Sequence, residues 1–198
     1  MAQERICWVL FAFLVSMVLG NSTKEPQYSD ADIEKFLKAN PDMWVYNTTE
    51  PGNVTCRRDV YSNITVNKTS LTRSFVNNTR QEVKNLTGKF FVWESWKKPA
   101  PGKYDAIEID DNTGRDYPLS DEVYEFQSED ETCAVVAVLD HSQETTATWL
   151  ELRVNNSAIE TDPGKQCKNA FDAVLRQYPE SKQKTRISYT GDCKKVRE

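Results

Sequence analysis

The sequence predicts an all-β protein, an eight-stranded antiparallel barrel with a short N-terminal helix and a C-terminal helix packed on the barrel wall. Eight short runs of β-type composition follow one another, separated by Pro, Gly and Asn residues. No long helical pattern lies between them, which argues against a parallel sheet. Apolar residues at helical spacing occur only before and after these runs. The architecture is therefore an antiparallel barrel or sandwich, and the order of the elements favours the barrel.

A signal peptide is predicted over residues 1–20. Arg5 precedes a nearly unbroken apolar run from Ile6 to Leu19, and Gly20 stands before a sharply polar sequence. This run of about 14 residues is shorter than the roughly 20 that a membrane-spanning helix needs. We therefore expect a secreted, extracellular protein with one domain over residues 21–198 and no membrane anchor.

The first element after the signal peptide is a short helix over Asp30–Ala39. Ser29 and Asp30 are suited to cap its start, and Asn40-Pro41 ends it. Its apolar face consists of Ile33, Phe36 and Leu37. The eight strands are then predicted at Met43–Tyr46, Val54–Tyr61, Ser70–Val76, Lys89–Trp96, Lys103–Ile109, Glu122–Gln127, Thr132–Leu139 and Thr146–Val154.

A second helix is expected after Thr161, Asp162 and Pro163, which form an N-terminal cap with proline in the first turn. Its apolar stripe consists of Ala170, Phe171, Val174 and Leu175. A last short strand, Arg186–Tyr189, leads to the C-terminus. An immunoglobulin-like sandwich is the rival architecture, but no cysteine pair brackets a tryptophan at the usual spacing, and that fold has no place for this helix.

The cysteines remaining after signal-peptide removal are Cys56, Cys133, Cys167 and Cys193. In a secreted chain they imply two disulfides, for which three connectivities are possible. Metal ligation is the competing interpretation, but the chain has no Cys-x-x-Cys pair and a single histidine, His141. We therefore expect no metal site.

Asn-x-Ser/Thr sequons provide a second indication of secretion. They begin at Asn21, Asn47, Asn53, Asn63, Asn67, Asn77, Asn85 and Asn155, and none contains proline. Because an N-glycan is bulky and must face solvent, these positions are expected on the outer surface. Asn21 is the weakest of them, since it lies at the expected new terminus.

Charge and composition exclude several function classes. A net charge of −5 gives no reason to expect a nucleic-acid partner. His141 has no nucleophile motif beside it, and the chain contains no glycine-rich phosphate loop. We therefore predict no catalytic residue, no cofactor and no enzymatic activity, and we expect a monomer.

Short motifs along the chain follow a known pattern. They are Pro41-Asp42-Met43-Trp44, Cys56, Thr132–Val136, Glu151-Leu152, Cys167 and Gly191-Asp192-Cys193. Through them the whole of residues 21–198 resembles the tick salivary lipocalins, the family that includes the histamine-binding proteins. The resemblance implies a lipocalin barrel with disulfides Cys56–Cys193 and Cys133–Cys167.

Members of that family that bind biogenic amines share a signature of Cys-Asp-aliphatic, then Glu-Leu-Trp or Glu-Leu-Tyr, then Cys. This chain keeps the frame, but Ala134 replaces the aspartate and Arg153 replaces the aromatic residue. A buried ammonium needs compensating negative charge and aromatic walls. The two replacements therefore indicate weak amine binding.

The predicted ligand-binding residues are Ala134, Val136, Val138, Trp149, Glu151, Arg153, Tyr124 and Phe126. Side chains alternate between the two faces of a strand, so Ala134 points inward if its neighbour Cys133 faces the helix. Trp149, Glu151 and Arg153 share one face of the next strand. That face either lines the barrel or, for Glu151 and Arg153, carries a solvent-exposed pair.

These features favour a carrier for one small, mainly apolar ligand, such as a sterol like cholesterol, a fatty acid or an eicosanoid. The resemblance is to the non-amine, japanin-like branch of the family, and it implies modulation of host immune and inflammatory responses, with dendritic cells as a target. Scavenging of histamine or serotonin is one alternative. Direct binding of a host immune-cell surface protein, with the barrel as scaffold, is the other.

Overall fold

The computed structural model describes residues 31–93, 102–142, 144–160 and 163–197. The helices in these ranges are α1 (Ile33–Ala39) and α2 (Gly164–Leu175), with 3₁₀ turns at Glu180–Lys182 and Gly191–Arg197. The strands are β1 (Asp42–Thr48), β2 (Val54–Ser62), β3 (Lys68–Asn77), β4 (Arg80–Phe91), β5 (Ala106–Asp110), β6 (Ser120–Gln127), β7 (Cys133–Asp140), β8 (Ala147–Asn155) and β9 (Arg186–Ile187). The expected signal peptide, Asn21, Trp96, Thr161 and Asp162 lie outside the described residues.

Strands β1 to β8 form the closed, eight-stranded antiparallel barrel that the sequence predicts. Each strand from β2 to β8 pairs with the next, β8 pairs with β1, and β1 also pairs with β2 to close the circle. The short β9 adds to β1 beyond the closure. Closure gives each of the eight strands two neighbours, although among the described residues the first half of β4 pairs with β3 alone.

The helix α1 closes one end of the barrel. It begins at Ile33, three residues after the predicted start at Asp30, because the Asp32 carboxylate accepts the backbone N–H of Lys35 and caps the first turn. The predicted cap residues Ser29 and Asp30 lie outside the described residues. Its buried residues pack among the inward-facing side chains of the strands. None of the helices in the described ranges is long and apolar enough to cross a membrane.

The strand β4 differs most from the prediction. It starts at Arg80, nine residues before the predicted start at Lys89, and it pairs with β3 over ten residues through a tight turn at Asn78, whose φ is 57°. Most side chains of Arg80–Asn85 are polar and exposed, so this half of the strand lacks the alternating apolar pattern of a half-buried strand. Cross-strand pairing alone holds it extended.

Apolar side chains form two separate clusters, one on each face of the barrel wall. The inner cluster fills the end that α1 closes, and the outer cluster lies between α2 and strands β7 and β8. Two disulfides hold the outer layer: Cys133–Cys167 joins β7 to α2, and Cys56–Cys193 joins β2 to the C-terminal turn. These are the pairs that the family resemblance implies. Each long loop closed by a disulfide stabilises the fold by about 3–5 kcal/mol.

Candidate functional site

The inner faces of β7 and β8 lie opposite each other inside the barrel. Cross-strand partners are Ala134 with Arg153, Val136 with Glu151 and Val138 with Trp149. All six side chains are buried, and Glu151 and Arg153 are 0% and 1% exposed. The alternative of a solvent-exposed Glu151–Arg153 pair is therefore wrong, because both residues share the inward parity of Trp149.

Of the two aromatic candidates on β6, only Tyr124 faces the interior. Its ring packs edge-on against Phe36 of α1, with 6.1 Å between the ring centroids. The pairing of β6 with β7 shifts by one residue between Tyr124 and Phe126, and Phe126 packs with the outer cluster instead. The prediction for Phe126 is wrong, because a bulge reverses the parity of every following residue in a strand.

Behind the rim of the open end, charged side chains fill the middle of the barrel. We name them the ionic network: Arg57 and Asp59 of β2, Arg73 of β3, Glu122 of β6, and Glu151 and Arg153 of β8. Each is at most 8% exposed. Three arginines face three carboxylates, so the network carries no net charge. The apolar lining expected from Ala134, Val136 and Val138 is present on β7, whereas β2, β3, β6 and β8 contribute the charged side chains of the network.

Arg153 is the central residue of the ionic network. Its Nη1 atom lies 2.7 Å from Glu122 Oε2, and its Nε and Nη2 atoms lie 2.8 and 2.7 Å from Glu151 Oε2. Arg73 makes a bidentate pair with Asp59, at 2.8 and 2.7 Å, and reaches Glu122 Oε1 at 2.7 Å. Glu122 therefore bridges two arginines from different strands.

Pairing with arginines keeps Glu151 and Asp59 ionised despite their burial. Burial alone would raise the pKa of Glu151, but the charges of Arg153, Arg57 and Arg73 outweigh it and lower this pKa to about 2. Burial alone would also raise the pKa of Asp59, but the charge of Arg73 and its hydrogen bond to Asp59 contribute most to lowering it below the ordinary value. Removing one partner would leave a buried charge uncompensated, which is the costly arrangement.

A small cavity of about 110 Å³ opens above the network at the end opposite α1. Arg57 and Arg73 form its floor, and Phe75, Val138 and Trp149 are among the residues of its walls. The guanidinium of Arg57 lies 5.9 Å from the centroid of the Trp149 ring. The lining thus combines three basic groups, of Arg57, Arg73 and Lys84, and the carboxylates of Glu50 and Asp140 with apolar and aromatic surface.

Glu50 lines this cavity and is more exposed than Glu151, the other carboxylate that pairs with Arg57. Its Oε1 atom lies 2.5 Å from Arg57 Nη2, and its Oε2 atom lies 3.2 Å from Arg186 Nη2. Burial raises the pKa of Glu50 above its ordinary value even though Arg57 counteracts this. Glu50 is therefore the partner of Arg57 that an incoming anion would most easily replace.

Sequence reasoning missed four members of the ionic network: Arg57, Asp59, Arg73 and Glu122. Their signal was available, because each shares strand parity with buried aromatic or aliphatic residues such as Tyr61, Leu71 and Tyr124. A charged residue on the apolar face of a strand needs a partner. The identity of that partner depends on closure of the barrel, which parity does not reveal.

The chain is similar to a known protein family and to solved lipocalin structures. The sequence profile described as "Tick histamine binding protein" matches residues 21–195. A solved structure of the siderocalin Ex-FABP, described as functioning "through dual ligand specificities", superposes with a TM-score of 0.52 at 7% identity and covers 77% of this chain and 91% of that chain. At that identity the likeness concerns the fold alone. No curated protein matches the sequence significantly.

Proposed function

Because the chain belongs to the tick histamine-binding protein family and folds as a lipocalin, we propose that it is a secreted carrier for a small amphipathic acid, such as a fatty acid or an eicosanoid. The ligand would bind at the open end of the barrel. Sequestering such a mediator would reduce the inflammatory or immune response of a host.

The observation that carries this proposal is the position of Arg57. Its guanidinium faces the cavity, contacts the aromatic ring of Trp149 and is shared between Glu151 and the rim residue Glu50. A ligand carboxylate can take the place of Glu50 and form the bidentate pair that arginine favours. Lys84, whose Nζ lies 5.7 Å from the centroid of the Phe75 ring, adds a second cation at the rim.

The apolar part of such a ligand would lie against Phe75, Val138 and Trp149. A cavity of about 110 Å³ accommodates a head group and a few carbons, so the rest of a long chain would occupy the open end. A sterol fits less well, because most of its rigid ring system would have to enter the volume that the ionic network fills. We therefore rank cholesterol below the acidic lipids.

Amine binding is the second candidate, favoured by the family match. The carboxylates that would receive an ammonium are nevertheless paired already: Glu151 with Arg153 and Arg57, and Glu122 with Arg153 and Arg73. Arg153 thus supplies internally the positive charge that an amine would bring. An amine would have to displace an arginine that has two carboxylate partners.

The test is a set of titrations on full-length protein from insect cells, stripped of lipid. Calorimetry with oleate, leukotriene, cholesterol, histamine and serotonin should give the tightest binding for one of the two acids. Arg57→Gln should weaken acid binding at least tenfold, about 1.4 kcal/mol. Arg58→Gln is the matched control, since Arg58 lies next along the same strand but contacts Asp42 on the outer face.

Two results would overturn the proposal. Tighter binding of histamine or serotonin than of any acid would favour the amine scavenger. Absence of binding to all five compounds, together with capture of a leukocyte surface protein by the stripped chain, would favour the direct protein-binding role.

A further inference from the structure

The outer face of β2, β3 and β4 carries a regular array of small polar side chains, which we name the hydroxyl face. The registers of the two strand pairs place its outward residues in three rows of three: Arg58, Ser74 and Val83; Val60, Thr72 and Asn85; Ser62, Ser70 and Thr87. The residues between them, such as Tyr61, Leu71 and Leu86, are buried on the inner face. Five of the nine outward residues carry a hydroxyl group.

The opposite outer wall is covered by α2, whereas among the described residues the hydroxyl face meets the C-terminal turn at one end, where Ser74 and Cys193 line the same pocket. On β7 and β8 the outward residues, such as Val135 and Leu152, are buried beneath α2. On the hydroxyl face Val83 is 60% exposed. The principal contacts of β3 are with its two neighbouring strands rather than with any helix in the described ranges.

A second feature of this region is an exposed sheet edge. The pairing of β4 with β5 begins only at Thr87 and Asp110, so residues 80–86 pair with β3 alone among the described residues. Unpaired backbone groups along such an edge invite pairing with another chain, and proteins protect such edges with charges or with a cover. Arg80 and Lys84 place positive charge along this edge, which protects it. The exposed apolar side chain of Val83 instead favours association with another chain.

Asn85 stands where the hydroxyl face and the exposed edge meet, and it begins the sequon Asn85-Leu86-Thr87. Its side chain is exposed, and its Oδ1 atom accepts a hydrogen bond of 3.3 Å from Thr72 Oγ1 across the strand pair. An N-glycosidic bond uses the amide nitrogen, so this contact orients the carboxamide and leaves the attachment point free.

We propose that an N-glycan on Asn85 lies on the hydroxyl face and covers it. The hydroxyl groups of Ser70, Thr72 and Ser74 lie within one or two strand spacings, about 5–10 Å, of the attachment point and offer donors and acceptors to the first sugars. Val83, two residues before Asn85, offers apolar surface to the N-acetyl methyl group. The glycan also occupies space beside the unpaired edge of β4 and so opposes edge-to-edge association.

This inference rests on the secretion proposed above, and glycopeptide mass spectrometry of protein secreted from insect cells tests the two separately. Asn85 should be glycosylated. Glycans at other sequons but none on Asn85 would overturn the inference alone, whereas a chain that is not secreted and carries no glycan would overturn both.

The structural role is tested with variants. Asn85→Gln and Thr87→Ala both remove the sequon, whereas Thr87→Ser keeps it, and Asn53→Gln removes a sequon in the exposed β1–β2 turn. The first two should lower Tm by about 3 °C, speed hydrogen exchange in β3 and β4, and increase dimer formation in sedimentation. Trimming to a single N-acetylglucosamine should preserve most of the difference. Equal behaviour of Asn85→Gln and Asn53→Gln would contradict the proposal.

Discussion

The two ends of the barrel interior are equally buried but are built from opposite chemistry. At the end closed by α1, Ile33 and Leu37 pack among aromatic and aliphatic side chains such as Ile107, with each of these three residues 0% exposed. Toward the open end, Arg153 and its partners form the ionic network. The closed end is stabilised by burial, which is non-directional and insensitive to pH.

The open end depends on hydrogen-bonded ion pairs, whose geometry is directional. Removing one partner of such a buried pair is costly in free energy, because it leaves the other charge without compensation. Substitutions of similar size should therefore have very different consequences at the two ends. The two ends also differ in what they offer a ligand. Among the described residues, the apolar cluster at the closed end has no charged group with which a polar ligand could pair, whereas Arg57 lines the cavity at the open end and can exchange Glu50 for a ligand carboxylate.

The largest effect is expected for Arg153→Leu. The substitution leaves Glu122 and Glu151 with less compensating charge in a buried site, so the free energy of unfolding at pH 7 should fall by about 3–5 kcal/mol. Lowering the pH should recover part of this loss, because Arg153 is the charge that lowers the pKa of Glu151 most, and without it Glu151 takes up a proton at a higher pH. Urea unfolding at pH 7 and pH 4.5 measures both effects, and a loss below about 1 kcal/mol would contradict the central position of Arg153.

Acid should destabilise the native protein through the same network. The pKa of Glu151 is lowered to about 2 in the folded chain, below the ordinary value of 4.5. Its contribution of about 3 kcal/mol is therefore present above pH 4.5 and is lost as the pH falls from 4.5 through 2. Urea unfolding between pH 6 and pH 2.5 should show this decline. A flat profile would mean that the pairs of Glu151 contribute nothing to stability.

Restoring the amine signature should convert the site. Ala134 and Arg153 are direct cross-strand partners, so Ala134→Asp with Arg153→Trp removes the internal cation and adds a carboxylate beside an aromatic ring. We expect histamine affinity to rise at least tenfold, about 1.4 kcal/mol, in calorimetry. Histamine should also raise the Tm of this variant but not that of the parent chain. Arg153→Trp alone is the control, and equal affinity of the two variants would show that position 134 has no role.

The smallest effect is expected at the closed end. Ile33→Val removes one buried methylene group from α1 and should cost about 1 kcal/mol. Because no charge is involved, this loss should be the same at pH 7 and pH 4.5, in contrast to that of Arg153→Leu. A pH-dependent loss for Ile33→Val would mean that the two ends are coupled.

Local patterns were sufficient for much of the fold. Helical spacing located α1 and α2, and alternation around Cys133 placed Ala134, Val136 and Val138 on the inner face of β7. Patterns failed where pairing rather than burial determines the conformation. The exposed first half of β4 has no apolar period, and the bulge in β6 moves Phe126 to the outer face.

The candidate site shows the same contrast between features that local patterns predict and features that pairing between strands determines. Glu151 and Arg153 interrupt an apolar strand, and Arg153 departs from a family signature, so the sequence indicates both as candidates. Strand parity alone does not say whether their shared face points into the barrel. Arg73 and Glu122 are 49 residues apart in sequence, and their hydrogen bond exists only because β3 and β6 face each other across the closed barrel. No periodicity within one strand carries that information.

The positions of the two helices and of most strands, and the alternation of faces within an unbulged strand, follow from the sequence, since they depend on residues within a few positions of one another. The tertiary structure alone decided that the barrel interior is divided into an apolar plug and a charge-balanced network. The physical reason is that a buried charge is tolerated only beside its partner, and those partners lie on strands that meet only when the barrel closes.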